Sequence, residues 1–162
     1  MKLKYYIKLL RPKHWIKNLL VFTPLVFSGN LLNMHYLLLS VVAFLVFSMV
    51  ASSVYVINDI RDVESDRKHE VKCHRPIASG KVSIIEAKII LAVLILFVSV
   101  AEFLLKAPLS ATFVLGIYFL SNILYSVKLK KVPIVDISIL TLGFLLRVFY
   151  GANVIGVAVS NW

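Results

Sequence analysis

The sequence predicts an all-α, polytopic transmembrane helix bundle. Of its 162 residues, 60% are hydrophobic and 16% are charged, whereas a soluble domain has roughly 45–50% apolar and ~25% charged residues. A single soluble core of this size cannot hide so many apolar side chains, so the surplus must face a lipid bilayer. Long stretches without charge, separated by charged segments, indicate where the chain crosses that bilayer.

The charge-free stretches place five spans. No charged residue occurs from Asn18 to Asn58. At ~20 residues per span this stretch accommodates two helices, joined by the turn-forming residues 28–33. Three further apolar stretches follow, the last two after Pro108 and Pro133. The predicted spans are 15–33, 35–57, 86–105, 108–127 and 133–153, with a loop over 58–83.

The basic residues predict the orientation of these spans. Residues 1–17 carry six bases and no acid, and residues 59–88 carry seven bases beside six acids. With alternating spans, both segments fall on one side together with Lys128, Lys130 and Lys131, while the other side has Lys106. By the positive-inside rule the richer side is cytoplasmic, which predicts a multi-pass protein of the cell (plasma) membrane with a cytoplasmic N-terminus. A nucleic-acid partner is not expected, because the bases follow the topology and no soluble domain presents them.

Five of the eight acidic residues lie between positions 59 and 70. The spacing of Asp59, Asp62 and Asp66 places them within an arc of about 60° on one helix face. Carboxylates this close repel one another unless a cation lies among them. Mg²⁺, which prefers oxygen ligands and shares them with phosphates, is the economical explanation. The alternative is a solvated helix end whose acids pair with Arg61, Arg67 and Lys68.

Basic residues on the same predicted face extend this interpretation. Carboxylates that hold a metal, with Lys72 and Arg75 close by, provide the electrostatics of a diphosphate pocket. Arg147 lies inside the fifth predicted span, where a charged residue usually faces a functional cavity. Pairing with Asp136 within that helix is excluded, because the two are ~16 Å apart along its axis.

The motif Asn58-Asp59-x-x-Asp62-x-x-x-Asp66, at the cytoplasmic end of the second predicted span, resembles the first aspartate motif of the UbiA superfamily of intramembrane prenyltransferases. The resemblance implies about nine spans around a central cavity, in which Mg²⁺ held by two acidic motifs binds a substrate diphosphate. Here only Asp136 follows Glu102 as an acidic residue, so the second motif is missing. We therefore predict that residues 1–162 are the N-terminal part of a single UbiA-like domain, with about five of nine spans, and are an incomplete enzyme alone.

Three further motifs resemble one branch of that superfamily, the decaprenyl-phosphate phosphoribosyltransferases: Arg11-Pro12-x-x-Trp15-x-Lys17-Asn18, Arg75-Pro76-Ile77-Ala78-x-Gly80 and Tyr125-Ser126-x-x-Leu129-Lys130. The branch implies transfer of a 5-phosphoribosyl group from phosphoribosyl pyrophosphate to a polyprenyl phosphate, for cell-wall precursor synthesis. It implies metal-holding and catalytic roles for Asp59, Asp62 and Asp66. The substrate-binding residues implied are Lys17, Asn18, Asn58, Arg61, Arg67, Lys72, Arg75, Tyr125, Lys130 and Arg147.

Two other functions fit the same residues. One is prenyl transfer from a polyprenyl diphosphate to an aromatic acceptor in quinone synthesis, which keeps the metal site and exchanges the soluble diphosphate for a lipid one. The other is a transporter or anion channel that uses Arg147, Asp136 and the basic mouth.

Overall fold

The computed structural model describes residues 2–126 and 133–158, with the side chains of 133–136 outside that description. Every regular element in this part of the chain is helical, which confirms the predicted all-α class. The elements in order are α1 (Leu3–Leu10), a 3₁₀ helix (Pro12–Phe22), α2 (Thr23–Phe27), α3 (Met34–Arg61), α4 (Val63–Arg67), a short 3₁₀ turn (Lys72–His74), α5 (Ile84–Leu104), α6 (Leu109–Leu124) and α7 (Pro133–Ile155).

Three of these helices, α3, α5 and α7, are long and apolar enough to cross a membrane, and α6 is apolar but shorter. Helices α3, α5, α6 and α7 overlap the second, third, fourth and fifth predicted spans, respectively. On α5, exposed apolar residues recur every three or four positions, which places them on one helix face. These residues are Ile89, Val93, Leu96, Val100 and Phe103. A continuous apolar face of this length suits contact with lipid chains.

The first predicted span, over 15–33, is not a single α-helix. The 3₁₀ helix covers its first part, and α2 ends at Phe27. Pro24, where the geometry changes from 3₁₀ to α, has no N–H to donate to the carbonyl of Leu20. That carbonyl instead accepts a hydrogen bond from the backbone N–H of Thr23. At ~2.0 Å per residue a 3₁₀ helix is longer than an α-helix of equal residue number, so the segment is still about 30 Å long, and its crossing of the bilayer stays a prediction.

The centre of the bundle is α3, which contacts the other long helices through two buried apolar clusters. One cluster lies between α3, the 3₁₀ helix, α6 and α7, and includes Val21, Val46, Phe47, Leu115 and Tyr150. The other lies between α1, the far end of α3, the following loop and α5, and includes Leu9, Val56, Ile77, Val82 and Ala87. The second cluster includes apolar residues of the loop and so fixes the position of the charged segment 58–83.

The helix α7 touches the 3₁₀ helix through backbone at Gly151. A Cβ atom at this position would lie 2.1 Å from the carbonyl oxygen of Val21, closer than any real side chain approaches. A glycine is therefore required here for the two segments to pack.

The N-terminal helix α1 is fixed to the start of α5 by Glu86. Ser83 and Glu86 form a capping box at this end of α5, which satisfies two backbone N–H groups. The Oε1 atom of Glu86 also accepts hydrogen bonds from Lys2 Nζ at 2.7 Å and Tyr6 Oη at 2.9 Å. The basic N-terminal helix is thus held beside the charged loop.

Candidate functional site

The three aspartates predicted to share one helix face do not lie on one continuous helix. The helix α3 ends at Arg61, Asp62 has non-helical dihedral angles, and α4 begins at Val63. Asp59 and Asp66 are buried, whereas the side chain of Asp62 is 22% exposed and lies 3.3 Å from Arg61. This corrects the prediction of one continuous helix face: Asp59 and Asp66 are bonded to the same arginine, and Asp62 lies at the junction of α3 and α4.

The buried carboxylates form a network with two arginines. Arg75 Nη1 donates to Asp66 Oδ2 at 2.7 Å and to Asp59 Oδ1 at 3.3 Å, so its guanidinium bridges the two acids. Arg11 Nη2 donates to the same Asp59 oxygen at 2.6 Å. Each buried carboxylate is thus compensated by at least one guanidinium. The network, here named the acid–arginine network, consists of Asp59, Asp66, Arg11 and Arg75.

The donor chemistry of this network suits a magnesium ion. Within the described residues, hydrogen bonds reach only Oδ1 of Asp59 and only Oδ2 of Asp66, which leaves one oxygen on each side chain. No group of three His, Cys, Asp or Glu side chains converges as a metal site among those residues. Mg²⁺, however, is commonly held by one or two carboxylates, with water and phosphate completing its coordination. Asp59 and Asp66 therefore fit the ion in chemical type, and their role as its ligands is proposed below.

The other charged residues of the motif have different partners. Arg67 Nη1 lies 3.0 Å from Glu64 Oε1, with both side chains exposed. Arg61 donates to the backbone carbonyl of Ser126, whose hydroxyl donates to Asn58 Oδ1. The alternative to a metal site, in which acids pair with neighbouring arginines, therefore holds for Asp62 and Glu64. The buried Asp59 and Asp66 pair instead with Arg11 and Arg75, which lie outside the motif. The bonds of Asn58 and Arg61 attach the end of α3 to the end of α6.

A second polar site surrounds Arg147 in the middle of α7. Arg147 is 8% exposed, and no carboxylate pairs with it among the described residues. Its Nε donates to Asn18 Oδ1 at 2.8 Å and its Nη2 to Tyr118 Oη at 3.3 Å, while Nη1 donates to the carbonyl of Gly143. Its guanidinium carbon also lies 5.1 Å from the ring centroid of Phe47. Neutral dipoles and aromatic faces thus hold a charge that no carboxylate in the described part of the chain neutralises.

A cavity of about 200 Å³ adjoins Arg147. Lys17 and Tyr125, both predicted to bind substrate, line it, and so do Tyr55, Tyr118 and Asn122. The lining has two cations, three phenol hydroxyls and an amide, and the described part contributes no acid to it. This cavity, here named the Arg147 pocket, is suited to an anion.

The structure brings the predicted residues together in two groups rather than one. Lys72 is exposed in the short 3₁₀ turn and lines a cleft with His69, His74 and Arg75, so this cleft adjoins the acid–arginine network. Lys130 lies outside the described residues. Roles for Arg11 and Tyr118 were not predicted from the sequence. Arg11 belongs to a motif quoted there, and the absence of a nearby acid in the sequence was the available signal that its partner is distant.

An all-helical bundle whose long helices are apolar enough to cross a membrane, with two buried aspartates and a buried arginine, is that of a polytopic α-helical membrane protein. The family model of the UbiA prenyltransferase family matches residues 18–162, and the chain belongs to that family.

Individual relatives agree with this assignment. The chain is 39% identical over 160 residues to the decaprenyl-phosphate phosphoribosyltransferase of Mycolicibacterium smegmatis, and 35% identical over 158 residues to that of Corynebacterium glutamicum. Each alignment covers 96% of this chain but only 50% and 48% of the respective relative. A solved structure of a digeranylgeranylglyceryl phosphate synthase superposes with a TM-score of 0.80 at 29% identity, over 94% of this chain and 53% of that one. The chain thus spans about half the length of the relatives it matches.

Proposed function

We propose that the complete protein transfers a 5-phosphoribosyl group from phosphoribosyl pyrophosphate to a polyprenyl phosphate, such as decaprenyl phosphate. The reaction would take place at the cytoplasmic face of the membrane and depend on Mg²⁺. The chain itself would supply the N-terminal half of the site. The relatives named as decaprenyl-phosphate phosphoribosyltransferases support this activity, since they align with almost the whole chain.

The Arg147 pocket is the structural observation that carries the proposal. Both substrates are anionic, and a cavity lined by Lys17 and Arg147 offers its charge to an incoming anion, because the described residues around it include no competing carboxylate. The burial of Arg147 strengthens this interaction, since charge attraction increases where water is excluded.

In the proposed site Asp59 and Asp66, with Asp62 completing the motif, would hold Mg²⁺, and Asn58 would orient the motif. The bound ion would neutralise charge on the departing pyrophosphate. Arg75 would then bind phosphate oxygens together with Lys72 and Lys130. It is already fixed beside the carboxylates, so little reorganisation is needed.

The remaining residues would bring two polyanions together. Lys17, Arg147 and the Tyr125 hydroxyl would bind phosphate oxygens, with Asn18 holding Arg147 in place. A phosphate oxygen of the lipid forms a bond to the anomeric carbon of ribose, and the bond from that carbon to pyrophosphate breaks with its electron pair. No strong base is needed, because the attacking phosphate is already an oxyanion. Positioning and electrostatic stabilisation therefore supply most of the rate.

The test uses membranes from cells that express the complete gene, incubated with labelled phosphoribosyl pyrophosphate, a polyprenyl phosphate and Mg²⁺. We expect a lipid-extractable ribosyl product that EDTA abolishes. Absence of this product, with an authentic decaprenyl-phosphate phosphoribosyltransferase active in parallel, would overturn the proposal.

Prenyl transfer to an aromatic acceptor is the alternative within the family. A parallel incubation with a polyprenyl diphosphate and a hydroxybenzoate distinguishes it. A prenylated aromatic product without any ribosylated lipid would favour that alternative.

A further inference from the structure

A groove lies between α5 and α6, apart from both polar sites described above. The two helices are neighbours in sequence, but α5 packs on α3, and α6 packs on α3 and α7. They leave between them a cavity of about 440 Å³ with α3 behind it, here named the α5–α6 groove, whose apolar lining includes Val98, Leu115 and Phe119. Ile95 also lines it and is 48% exposed, so the groove opens on the apolar outer face of α5.

A single carboxylate, that of Glu102, lies at one end of this groove. Its Oε1 atom accepts a hydrogen bond from Tyr150 Oη at 2.6 Å, and its Oε2 atom accepts one from Thr112 Oγ1 at 2.8 Å. Among the described residues no lysine or arginine forms an ion pair with it. A carboxylate has about four acceptor positions, so about two of them remain available to a ligand.

The other polar side chains of the groove also offer acceptors. Ser53 and Ser99 donate their hydroxyl protons to backbone carbonyls one turn back in their own helices, at 2.9 and 3.1 Å. Thr112 donates its proton to Glu102. A hydroxyl has one proton, so no side chain of the described lining keeps a free donor. The groove therefore favours a ligand that donates hydrogen bonds and is positively charged, and it disfavours a phosphate.

The position and shape of the groove suit a lipid. Glu102 lies about 3 Å along the helix axis from the end of α5 at Leu104, the end of that helix opposite to the charged loop, and lipid headgroups lie at the ends of membrane-spanning helices. From Glu102 to Ile95 the groove follows α5 for about 10 Å. It is open at Gly116, where a Cβ atom would meet nothing within 4 Å.

We propose that the α5–α6 groove binds a membrane lipid with a primary-ammonium headgroup, of the phosphatidylethanolamine type. The ammonium group donates to Glu102, and one hydrocarbon chain lies between α5 and α6. Lys106, exposed just beyond the end of α5, provides a cation at the same end for the lipid phosphate. The inference does not depend on the transfer reaction proposed above, because the groove shares no residue with the proposed substrate sites and its charge is opposite to that of the Arg147 pocket.

The test compares dioctanoyl phosphatidylethanolamine with dioctanoyl phosphatidylcholine, whose quaternary ammonium has no N–H to donate. Native mass spectrometry of the complete protein in detergent, over a titration of each lipid, gives the two dissociation constants. The first variant is Glu102→Gln, which removes the charge but keeps hydrogen-bonding atoms for Tyr150 and Thr112. Its matched control is Glu70→Gln, which removes the same charge from an exposed loop position outside the groove. The second variant, Gly116→Leu, fills the groove and leaves Glu102 in place.

We expect the wild type to bind phosphatidylethanolamine about tenfold more tightly than phosphatidylcholine, because one charge-assisted hydrogen bond distinguishes them. Glu102→Gln should raise the dissociation constant for phosphatidylethanolamine about tenfold and abolish the preference. Glu70→Gln should change that constant by less than about twofold. Gly116→Leu should raise it about fourfold or more, the worth of one buried methylene group. Thermal unfolding verifies that each variant is folded.

Three binding results would overturn the proposal: equal affinity of the wild type for the two lipids, equal weakening in Glu102→Gln and Glu70→Gln, or unchanged affinity in Gly116→Leu. A melting temperature of lipid-free Gly116→Leu well below that of the wild type would also overturn it, because another segment of the complete protein would then occupy the groove. If Glu102→Gln unfolds, the lipid preference of the wild type and the affinity of Gly116→Leu decide by the same criteria.

Discussion

The acid–arginine network and the Arg147 pocket stabilise buried charge in opposite ways. In the network two carboxylates and two guanidiniums neutralise one another, with N···O distances of 2.6–3.3 Å. In the pocket one guanidinium is held by an amide, a phenol, a carbonyl and aromatic rings. The first arrangement contributes to folding and keeps the acids in place, whereas the second leaves a positive charge available. Substitutions in the network should therefore change stability and activity together. Substitutions in the pocket should change activity with little change in stability.

The largest effect is expected for Asp59→Asn. It should lower the rate of ribosyl transfer by on the order of 10²–10³-fold, because charge stabilisation at the leaving group is lost. It should also lower the free energy of unfolding by roughly 1–3 kcal/mol, since Arg11 and Arg75 lose a partner. The loss is below that of a fully buried pair because their side chains are 22% and 27% exposed. Initial rates and thermal unfolding in detergent measure the two effects.

Glu64→Gln is the control for this prediction, because Glu64 lies in the same motif but is exposed and pairs only with Arg67 among the described residues. It should leave the rate within about twofold. Equal loss of activity in both variants would contradict the assignment of the buried carboxylates to the site.

The next effect is expected for Arg147→Met. This variant should raise KM for an anionic substrate by about 10–100-fold, which corresponds to one lost charge-assisted hydrogen bond. Its melting temperature should change by less than about 3 °C, since removal of a buried charge without a counter-ion offsets the lost contacts. Steady-state kinetics and thermal unfolding, with Lys88→Met as control, measure this. A fall in stability as large as that of Asp59→Asn would show that the two sites do not differ as described.

A third, purely structural effect is expected for Gly151→Ala. The new methyl group would meet the Val21 carbonyl oxygen at 2.1 Å, and overpacking of this kind costs about 1–3 kcal/mol. Gly116→Ala is a matched control, because a Cβ there meets no atom within 4 Å and alanine favours the helix by about 1 kcal/mol. The two variants should therefore shift the melting temperature in opposite directions. A shift of the same sign and size in both would contradict the close contact of α7 with the 3₁₀ helix.

The smallest effect concerns His14, near the acid–arginine network. Partial desolvation, with the positive charges of Arg11 and Lys17, lowers the pKa of the largely exposed His14 below its ordinary value of 6.5. The unfolded chain therefore takes up a proton first as the pH falls, so stability is lost on going below about pH 6.5. Between pH 7.5 and 5.5 the wild type should lose about 1–2 °C more in melting temperature than His14→Gln. An identical pH response of the two proteins would contradict the lowered pKa.

The long apolar helices could be predicted from the sequence because their signal is local. The absence of charged residues from Asn18 to Asn58 predicts membrane-spanning helices by itself. The apolar residues after Pro108 do so as well. The 3₁₀ geometry of the first segment was not predicted, although Pro24 is evident in the sequence. The effect of Pro24 depends on which N–H bonds the Leu20 carbonyl in the fold, and the sequence does not show this. The end of α3 at Arg61 was missed as well, because residues 58–70 contain no proline or glycine that would mark it.

The candidate site was predictable in composition but not in pairing. The spacing of Asp59 and Asp66 identified the acids correctly as a cluster. Arg11, a partner of Asp59, lies 48 positions before it, and no periodicity connects residues so distant. Asn18 and Arg147 were likewise predicted separately as substrate-binding residues. A hydrogen bond joins them in the fold across 129 positions, which no local pattern in the sequence predicts.

The contacts of the 3₁₀ helix with α7 have a consequence for biogenesis. The bond between Asn18 and Arg147 joins residues 129 positions apart, and the Val21 carbonyl packs on Gly151. The 3₁₀ helix can contact α3 once that helix is made, as in the bond between Asn18 and Ser48, but its contacts with α7 form only after α7 has been synthesised. A delay in synthesising α7 should therefore leave this face of the 3₁₀ helix uncovered and exposed to quality control.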